Sequence, residues 1–425
     1  MKDAFVTERC DAQHPHWELC TARLLPLYER GNDIRSAFER DQTRILHCQA
    51  FRRLKHKTQV FFAPHNDHIC TRMEHVMHVA SVAATICKYL GLNYQLAQAI
   101  ALGHDIGHAP FGHHGEDCLN TLVKQQSGAH APRKFWHERN SLFFADYIET
   151  LQDPDGVEQP LNLTYAVRDG IISHCGEIDQ QGIRPRTDAI DLYTIKRPGI
   201  IQPYTWEGCV VKVADKIAYL GRDLEDARTY HVLDMASYRE LREIVGSTLG
   251  FGADGKGTHA LKNGKAVNTT VLINDLIVNL CEESSLENGL CFSNDYFAFI
   301  SELKKFNFAH IYTHWRLKAF QQYASLIIQT IFRTLMQVWP YVMHGRVASA
   351  LKYYPQFGST FEEWLVKYTN YRPQRDPERK QLSRYNTPQV FDITDTASYE
   401  KCALEYISGM TDQFAIRVYE EIITF

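Results

Sequence analysis

Apolar residues recur at helix spacing through almost the whole of this 425-residue chain, and that pattern leaves little room for any fold but a helical one. In MEHVMHVASVAATICKYLGL, residues 73–92, Val76, Val79, Ala83, Ile86 and Leu90 share one helix face. NYQLAQAIALGHD (93–105), TVLINDLIVNLCEE (270–283) and LKAFQQYASLIIQTIFRTLMQVW (317–339) read the same way. Strand-like alternation is rare, and no internal repeat or low-complexity tract interrupts the pattern. The expected fold class is all-α. Loops are expected at QDPDGVEQP (152–160), at the glycine-rich GFGADGKGTHALKNGK (250–265) and at RPQRDPER (372–379). The glycine-rich stretch lacks the preceding strand and the G-K-[ST] ending of a phosphate loop, so it reads as a flexible connection. It divides an N-terminal catalytic part, 1–249, from a C-terminal helical region, 266–425, expected to pack on the first.

Charge and cysteine usage narrow the partners. The formal net charge of -4 supplies no global field to recruit nucleic acid or membrane, so an anionic ligand must be held by local cations. The 11 cysteines are scattered without a C-x-x-C pair, which argues against a disulfide framework or zinc knuckle and for a reduced, cytoplasmic protein. MKDAFVTERCDAQHPHW at the N-terminus has no apolar signal core. The most apolar run, YASLIIQTIFRTLMQVW, is broken by Gln329, Arg333 and Gln337, so no membrane span is expected.

The chemistry concentrates in GHDIGHAPFGHHGED, residues 103–117, where His104, His108, His113 and His114 stand among Asp105, Glu116 and Asp117. Three helices bear on it. Thr71 and Glu74 form a capping-box pattern, so a helix should start at Arg72 and carry His75 about one turn in. The helix through QLAQAIALGHDIG meets a stop at Gly107 and Pro110, which puts His104 and Asp105 in its last turn, where both can converge on one ion. In VVKVADKIAYLGRDLEDA (210–227), Asp215, Tyr219 and Asp223 lie at i, i+4 and i+8, a polar stripe that faces either water or a cavity. Imidazole nitrogens mixed with carboxylate oxygens suit Mn, Fe, Zn or Ni, and Mg less readily.

Taken together, His75, His104–Asp105 and Asp215 resemble the H…HD…D signature of the HD superfamily of metal-dependent phosphohydrolases. Longer stretches narrow the resemblance. RILHCQAFRRLKHKTQVF (44–61), HDIGHAPFGHHGED (104–117), FWHERNS (135–141), LNLTYAV (161–167), DKIAYLGRDLEDA (215–227) and YISGMTDQFAIRVYEEI (406–422) are similar to the bacterial deoxyguanosine triphosphate triphosphohydrolase family. The resemblance implies an HD-domain helical core with a C-terminal helical extension. It also implies hydrolysis of a deoxynucleoside triphosphate to a deoxynucleoside and inorganic triphosphate.

Residue by residue, the resemblance makes His75, His104, Asp105 and Asp215 ligands of one divalent metal per subunit, with manganese expected first among Mn, Mg, Fe, Ni, Co and Zn. It makes His113 and Glu116 the catalytic pair beside the α-phosphate, with His108 and His137 as further histidines near the phosphates. Arg72, Lys216 and Tyr219 correspond to triphosphate-holding groups. Gln59 and Asp223 correspond to groups on the sugar 3′-hydroxyl, and Val60 to an apolar contact that excludes a 2′-hydroxyl. A homo-oligomer built from dimers, up to a hexamer, and a dNTP or single-stranded DNA effector are implied too.

The chain departs from the family pattern at Arg222, where many relatives have His, at His78, and at His114, a rival to His113. The basic run FRRLKHK (51–57) reads either as a solvated helix face or as a regulatory nucleotide or DNA site. Two other functions remain open: another HD reaction on nucleoside monophosphates or guanosine polyphosphates, and an inactive HD regulator that binds nucleic acid. On this reading the C-terminal region, from NTTVLINDL onward, supplies no residue that the chemistry needs.

Overall fold

The computed structural model describes residues 4–28, 33–62, 68–126, 134–175, 181–250, 268–373 and 389–424. Over these residues the chain is helical apart from one small hairpin, as its periodicity predicts. In chain order the first helices are α1 (Trp17–Thr21), α2 (Ala37–His47), α3 (Gln49–Arg53), α4 (Arg72–Leu90), α5 (Tyr94–Gly103) and α6 (Gly112–Gln126). They are followed by α7 (His137–Phe143), α8 (Tyr165–Ser173), α9 (Trp206–Thr229), α10 (Met235–Thr248) and α11 (Thr269–Glu283). The rest are α12 (Asn294–Asn307), α13 (Trp315–Val342), α14 (Val347–Ala350), α15 (Pro355–Tyr368), α16 (Thr396–Ser408) and α17 (Asp412–Ile423).

Helix α4 is the axis of the fold, and its ends are written in its sequence. The Thr71 hydroxyl accepts the Glu74 amide and the Glu74 carboxylate accepts the Thr71 amide, which satisfies two otherwise orphaned donors. At the other end Gly91 takes φ +84°, a left-handed value that closes the last turn. Val76, Val79, Ala83, Ile86 and Leu90 are all buried, and α5 and α9 pack on α4. Helix α5 in turn rests on α2 and α8, and α8 on α7 and α9. The C-terminal region joins this core: α11 and α12 lie on α9, and α13 lies on α6, α16 and α17. One contiguous apolar cluster runs from Phe5 to Val418.

The stretch expected as a loop at 152–160 is instead the turn and flanks of a two-stranded antiparallel hairpin, β1 (Thr150–Gln152) and β2 (Glu158–Pro160), with Gln152 opposite Glu158. Asp153 makes the turn: its carboxylate accepts the Asp155 and Val157 amides, an arrangement too local to read from alternation. Of the other two expected loops, 251–265 and 374–379 lie outside the described residues. Among the described residues no helix is long and apolar enough to cross a membrane.

Candidate functional site

Helices α4, α5, α8 and α9 surround one end of a cavity of about 900 Å³, and the histidines and aspartates singled out in the sequence converge there. His75 Nε2 lies 2.9 Å from Asp215 Oδ1, and His104 Nε2 lies 3.5 Å from Asp105 Oδ2. Donor atoms of His75, His104 and Asp215 fall within 4.8 Å of one another. Ligands about 2.1 Å from a shared ion stand up to about 4.2 Å apart, so a small contraction closes the set.

The local chain explains how these rings are held. Helix α5 ends at Gly103, not at Gly107 as expected, and His104 is its capping residue. The His104 ring places Nδ1 2.6 Å from the Ala101 carbonyl, one turn back, so Nδ1 carries the proton and Nε2 points away, buried and without a hydrogen-bond partner. Gly107 is required for a different reason. A Cβ there would stand 2.2 Å from the Ser141 amide nitrogen, so the glycine lets the loop lie against α7. Arg72, buried at the start of α4, gives an Nη to Asp105 at 2.5 Å. It therefore anchors this carboxylate, although its side chain also lines the cavity as the triphosphate assignment requires.

Protonation states fit a metal. Burial pushes His104 down to about 4, so it is neutral at pH 7. Burial alone would raise Asp105, but Arg72 and the surrounding histidines hold it well below the ordinary carboxylate range. Burial likewise opposes ionisation of Asp215, and the His75 hydrogen bond outweighs it. A neutral imidazole at His104 and ionised carboxylates at Asp105 and Asp215 suit a divalent ion.

Beside this set lies a second cluster, His108, His113, Glu116 and His137, again within 4.8 Å. Its pairing differs from the one expected. Glu116 Oε2 sits 3.0 Å from His137 Nδ1 and 3.7 Å from His113 Nδ1, so its closer partner is His137. Acidic neighbours Glu138, Glu116 and Asp105 overcome burial and raise His137 to about 10, which makes it a cation at neutral pH. Burial opposes ionisation of Glu116, but His137 and His113 hold it well below its usual value. His113 is the exposed member, with its side chain 70% exposed. His108 is fully buried and stacked on His137, and burial drives its pKa well down. His114, the rival of His113, is turned to Ser325 at 2.9 Å, with Cys118 beside it.

Along α9, Asp215, Tyr219 and Asp223 face the cavity, so the polar stripe does not look to water. Lys216, Gln59 and Val60 also line it. Asp223 is buried and accepts a hydrogen bond from the Tyr312 hydroxyl at 2.5 Å. Gln59 Oε1 is buried without a partner.

The basic run is not a solvated face as a whole. Arg53 pairs with Glu149 at 2.6 Å and Lys57 is buried, because Phe51 and Leu54 draw this turn into the core. Only Arg52, Lys55 and His56 are exposed.

Sequence reasoning missed several lining residues. His174 caps α8 as His104 caps α5, with Nδ1 2.7 Å from the Ile171 carbonyl and its ring 4.8 Å from that of His104. The shared signal was a histidine closing an apolar helix, in AIALGH and in DGIISH. The C-terminal region, expected to supply nothing, contributes Lys304, Tyr312 and Phe320 to the cavity wall. Nothing in their local sequence marks them, since it is the docking of α12 and α13 that brings them in.

Residues 72–220 match the model of the HD domain, and residues 290–356 match that of a phosphohydrolase-associated domain. Several relatives bear the name deoxyguanosinetriphosphate triphosphohydrolase-like protein. That of Caldanaerobacter subterraneus subsp. tengcongensis is 31% identical over 395 residues, covering 93% of this chain and 87% of its own. That of Rickettsia felis is 28% identical over 425 residues, 93% of this chain and 96% of its own. That of Desulfatibacillum aliphaticivorans reaches 44% over 194 residues, 46% of this chain and 48% of its own.

Proposed function

This chain belongs to the deoxyguanosinetriphosphate triphosphohydrolase-like family of HD-domain phosphohydrolases, and from that premise we propose that it hydrolyses deoxynucleoside triphosphates to deoxynucleoside and inorganic triphosphate. The observation that carries the reading is one cavity lined by His75, His104, Asp105 and Asp215 and also by His113 and His137, with Glu116 bonded to His137 behind them. The bond cut is that between the 5′ oxygen and the α-phosphorus: water adds its oxygen to phosphorus and a proton to the departing 5′ oxygen.

His75, His104, Asp105 and Asp215 would hold a divalent ion, manganese in our reading, which when bound would supply Lewis-acid polarisation of the α-phosphate. The remaining work falls to the chain. His137, held cationic, offsets charge that builds on the phosphate. Glu116, held by His137, stands 3.7 Å from His113 as its nearby carboxylate, and His113 carries the proton to the 5′ oxygen. Lys216 and Tyr219 grip the triphosphate. Asp215 and Asp223 are two turns apart on α9, about 12 Å along its axis, so one serves the metal end and the other the sugar end of the bound nucleotide. Gln59 and Asp223 take the 3′-hydroxyl, and Val60 leaves no room for a 2′-hydroxyl. The enzyme works in the cytoplasm as a homo-oligomer, with a second dNTP as effector.

Manganese-loaded protein, incubated with each dNTP alone and in mixtures, should give equimolar deoxynucleoside and tripolyphosphate by ion-exchange chromatography. Orthophosphate or pyrophosphate as the primary product would point to another HD reaction. Binding of single-stranded DNA without any turnover would mark an inactive regulator.

A further inference from the structure

The C-terminal helices reach the backbone behind the cavity wall through Asp412, the first residue of α17. This carboxylate is buried, each oxygen accepts a backbone amide, and the Thr58 side chain bonds to it as well. Oδ1 accepts the Phe111 amide at 2.8 Å and Oδ2 accepts the Thr58 amide at 2.8 Å. Both amides sit at critical places. Phe111 has a left-handed φ of +64°, unusual for a bulky side chain, and is followed by Gly112 at +66°. This turn launches α6, which carries His113 and Glu116. Thr58 precedes Gln59 and Val60 in the cavity wall, and the Thr58 and Gln59 carbonyls accept from Arg72 at 3.4 Å.

The same junction holds the loop at two more points. Lys57 Nζ donates to the carbonyls of His108 and of Ser408, the last residue of α16. The Asn140 amide group donates to the Gly107 carbonyl at 2.7 Å and to the Ser408 hydroxyl at 3.1 Å. Gly107, His108 and Phe111 are thus tied to the α16–α17 corner, and no other group of the N-terminal core replaces Asp412 at the Phe111 amide among the hydrogen bonds of the described residues.

We propose that Asp412 is a positioning residue for catalysis. It fixes the turn from which His113 springs relative to the segment that carries Gln59, while touching neither substrate nor metal. The proposal rests on the reading of His113 as the proton carrier. Asparagine is the discriminating replacement, because its one carbonyl oxygen accepts one amide while its NH₂ faces the other.

In the manganese-loaded full chain, Asp412→Asn should keep its helical circular dichroism and its metal content but lose about 10- to 100-fold in kcat, the scale of a small misplacement at the reacting centre. The decisive reading is a double-mutant cycle. In a His113→Ala background the same substitution should cost less than about threefold, because the group it positions is gone. Lys57→Met loosens the same corner and should show the same coupling, so it serves as the readout where Asp412→Asn folds poorly. A folded, metal-loaded Asp412→Asn enzyme with wild-type kcat overturns the proposal. So does a loss that multiplies undiminished into the His113→Ala background, which is the pattern of a purely structural residue. Wild-type turnover in His113→Ala alone would instead remove the premise, and the proposal with it.

Discussion

Each histidine of the site is held differently, and what holds the ring decides what it can do. His104 and His174 spend Nδ1 on a carbonyl one turn back and present Nε2, the arrangement of a fixed ligand. His137 is locked to Glu116 and His114 to Ser325. His113 alone among these has its side chain largely in solvent while still near a carboxylate, which is why the proposed proton carrier is placed there. His113→Ala should therefore keep its metal and lose about 10²- to 10⁴-fold in kcat, the usual contribution of a general acid–base group. His114→Ala should lose less than about fivefold. Steady-state kinetics beside metal analysis checks both, and the reverse pattern would exchange the two assignments. Asp223 yields a different test. Burial raises its carboxyl from 3.8 to about 6. Relative to the unfolded chain this stabilisation is present below pH 4 and is lost as pH rises through 6, where the buried group must ionise. Asp223→Asn escapes that cost. It should be more stable than wild type by up to about 3 kcal/mol at pH 8, with the gap closing between pH 6 and pH 4. Urea unfolding at the two pH values reads this out, and an equal gap at both would refute it.

At the level of elements, what the sequence announced was whatever depends on near neighbours. The start of α4 was legible because Thr71 and Glu74 cap each other across three residues. The α9 stripe was legible because Asp215, Tyr219 and Asp223 repeat every four. Which way that stripe looks was not, since only the packing of α4, α11 and α12 around α9 closes a cavity over it. Gly107 was noticed for the wrong reason: its role depends on the backbone of Asn140 and Ser141, which the local pattern around Gly107 does not reveal. Lys57 looked like part of a charged face, yet a buried ammonium needs distant carbonyls, and those belong to His108 and Ser408. The closer tie of Glu116 to His137 than to His113 is of the same kind, set by where α7 meets α6. Motif likeness picked out residues that the fold brings together, and long-range packing decided which of them touch.

At the scale of the whole molecule, α13 raises the question of assembly. Its inner face, with Ile327, Ile331 and Leu335, is fully buried. Along its flanks Tyr323, Leu326 and Tyr341 nevertheless reach solvent, and Phe308 and Trp315 stand 64% and 71% exposed just before and at its start. Single exposed apolar residues are ordinary, but several large ones along one long helix form a surface that a second copy would cover. A net charge of -4 offers little repulsion against such pairing, and closed symmetry is the common outcome when identical chains associate. The same region supplies Lys304, Tyr312 and Phe320 to the cavity, so association there would bear on turnover through the walls of the site itself. We therefore expect the rate per subunit to fall on dilution as oligomers dissociate, and a second dNTP to restore it by favouring the assembled state. Leu326→Glu should shift sedimentation toward the monomer without changing metal content. Sedimentation velocity and turnover, followed together over a dilution series with and without added nucleotide, provide the check. A strictly monomeric protein with a constant rate per subunit, indifferent to a second nucleotide, would defeat the assembly reading and leave the catalytic one standing, because the donor set and the His113 cluster lie within one chain.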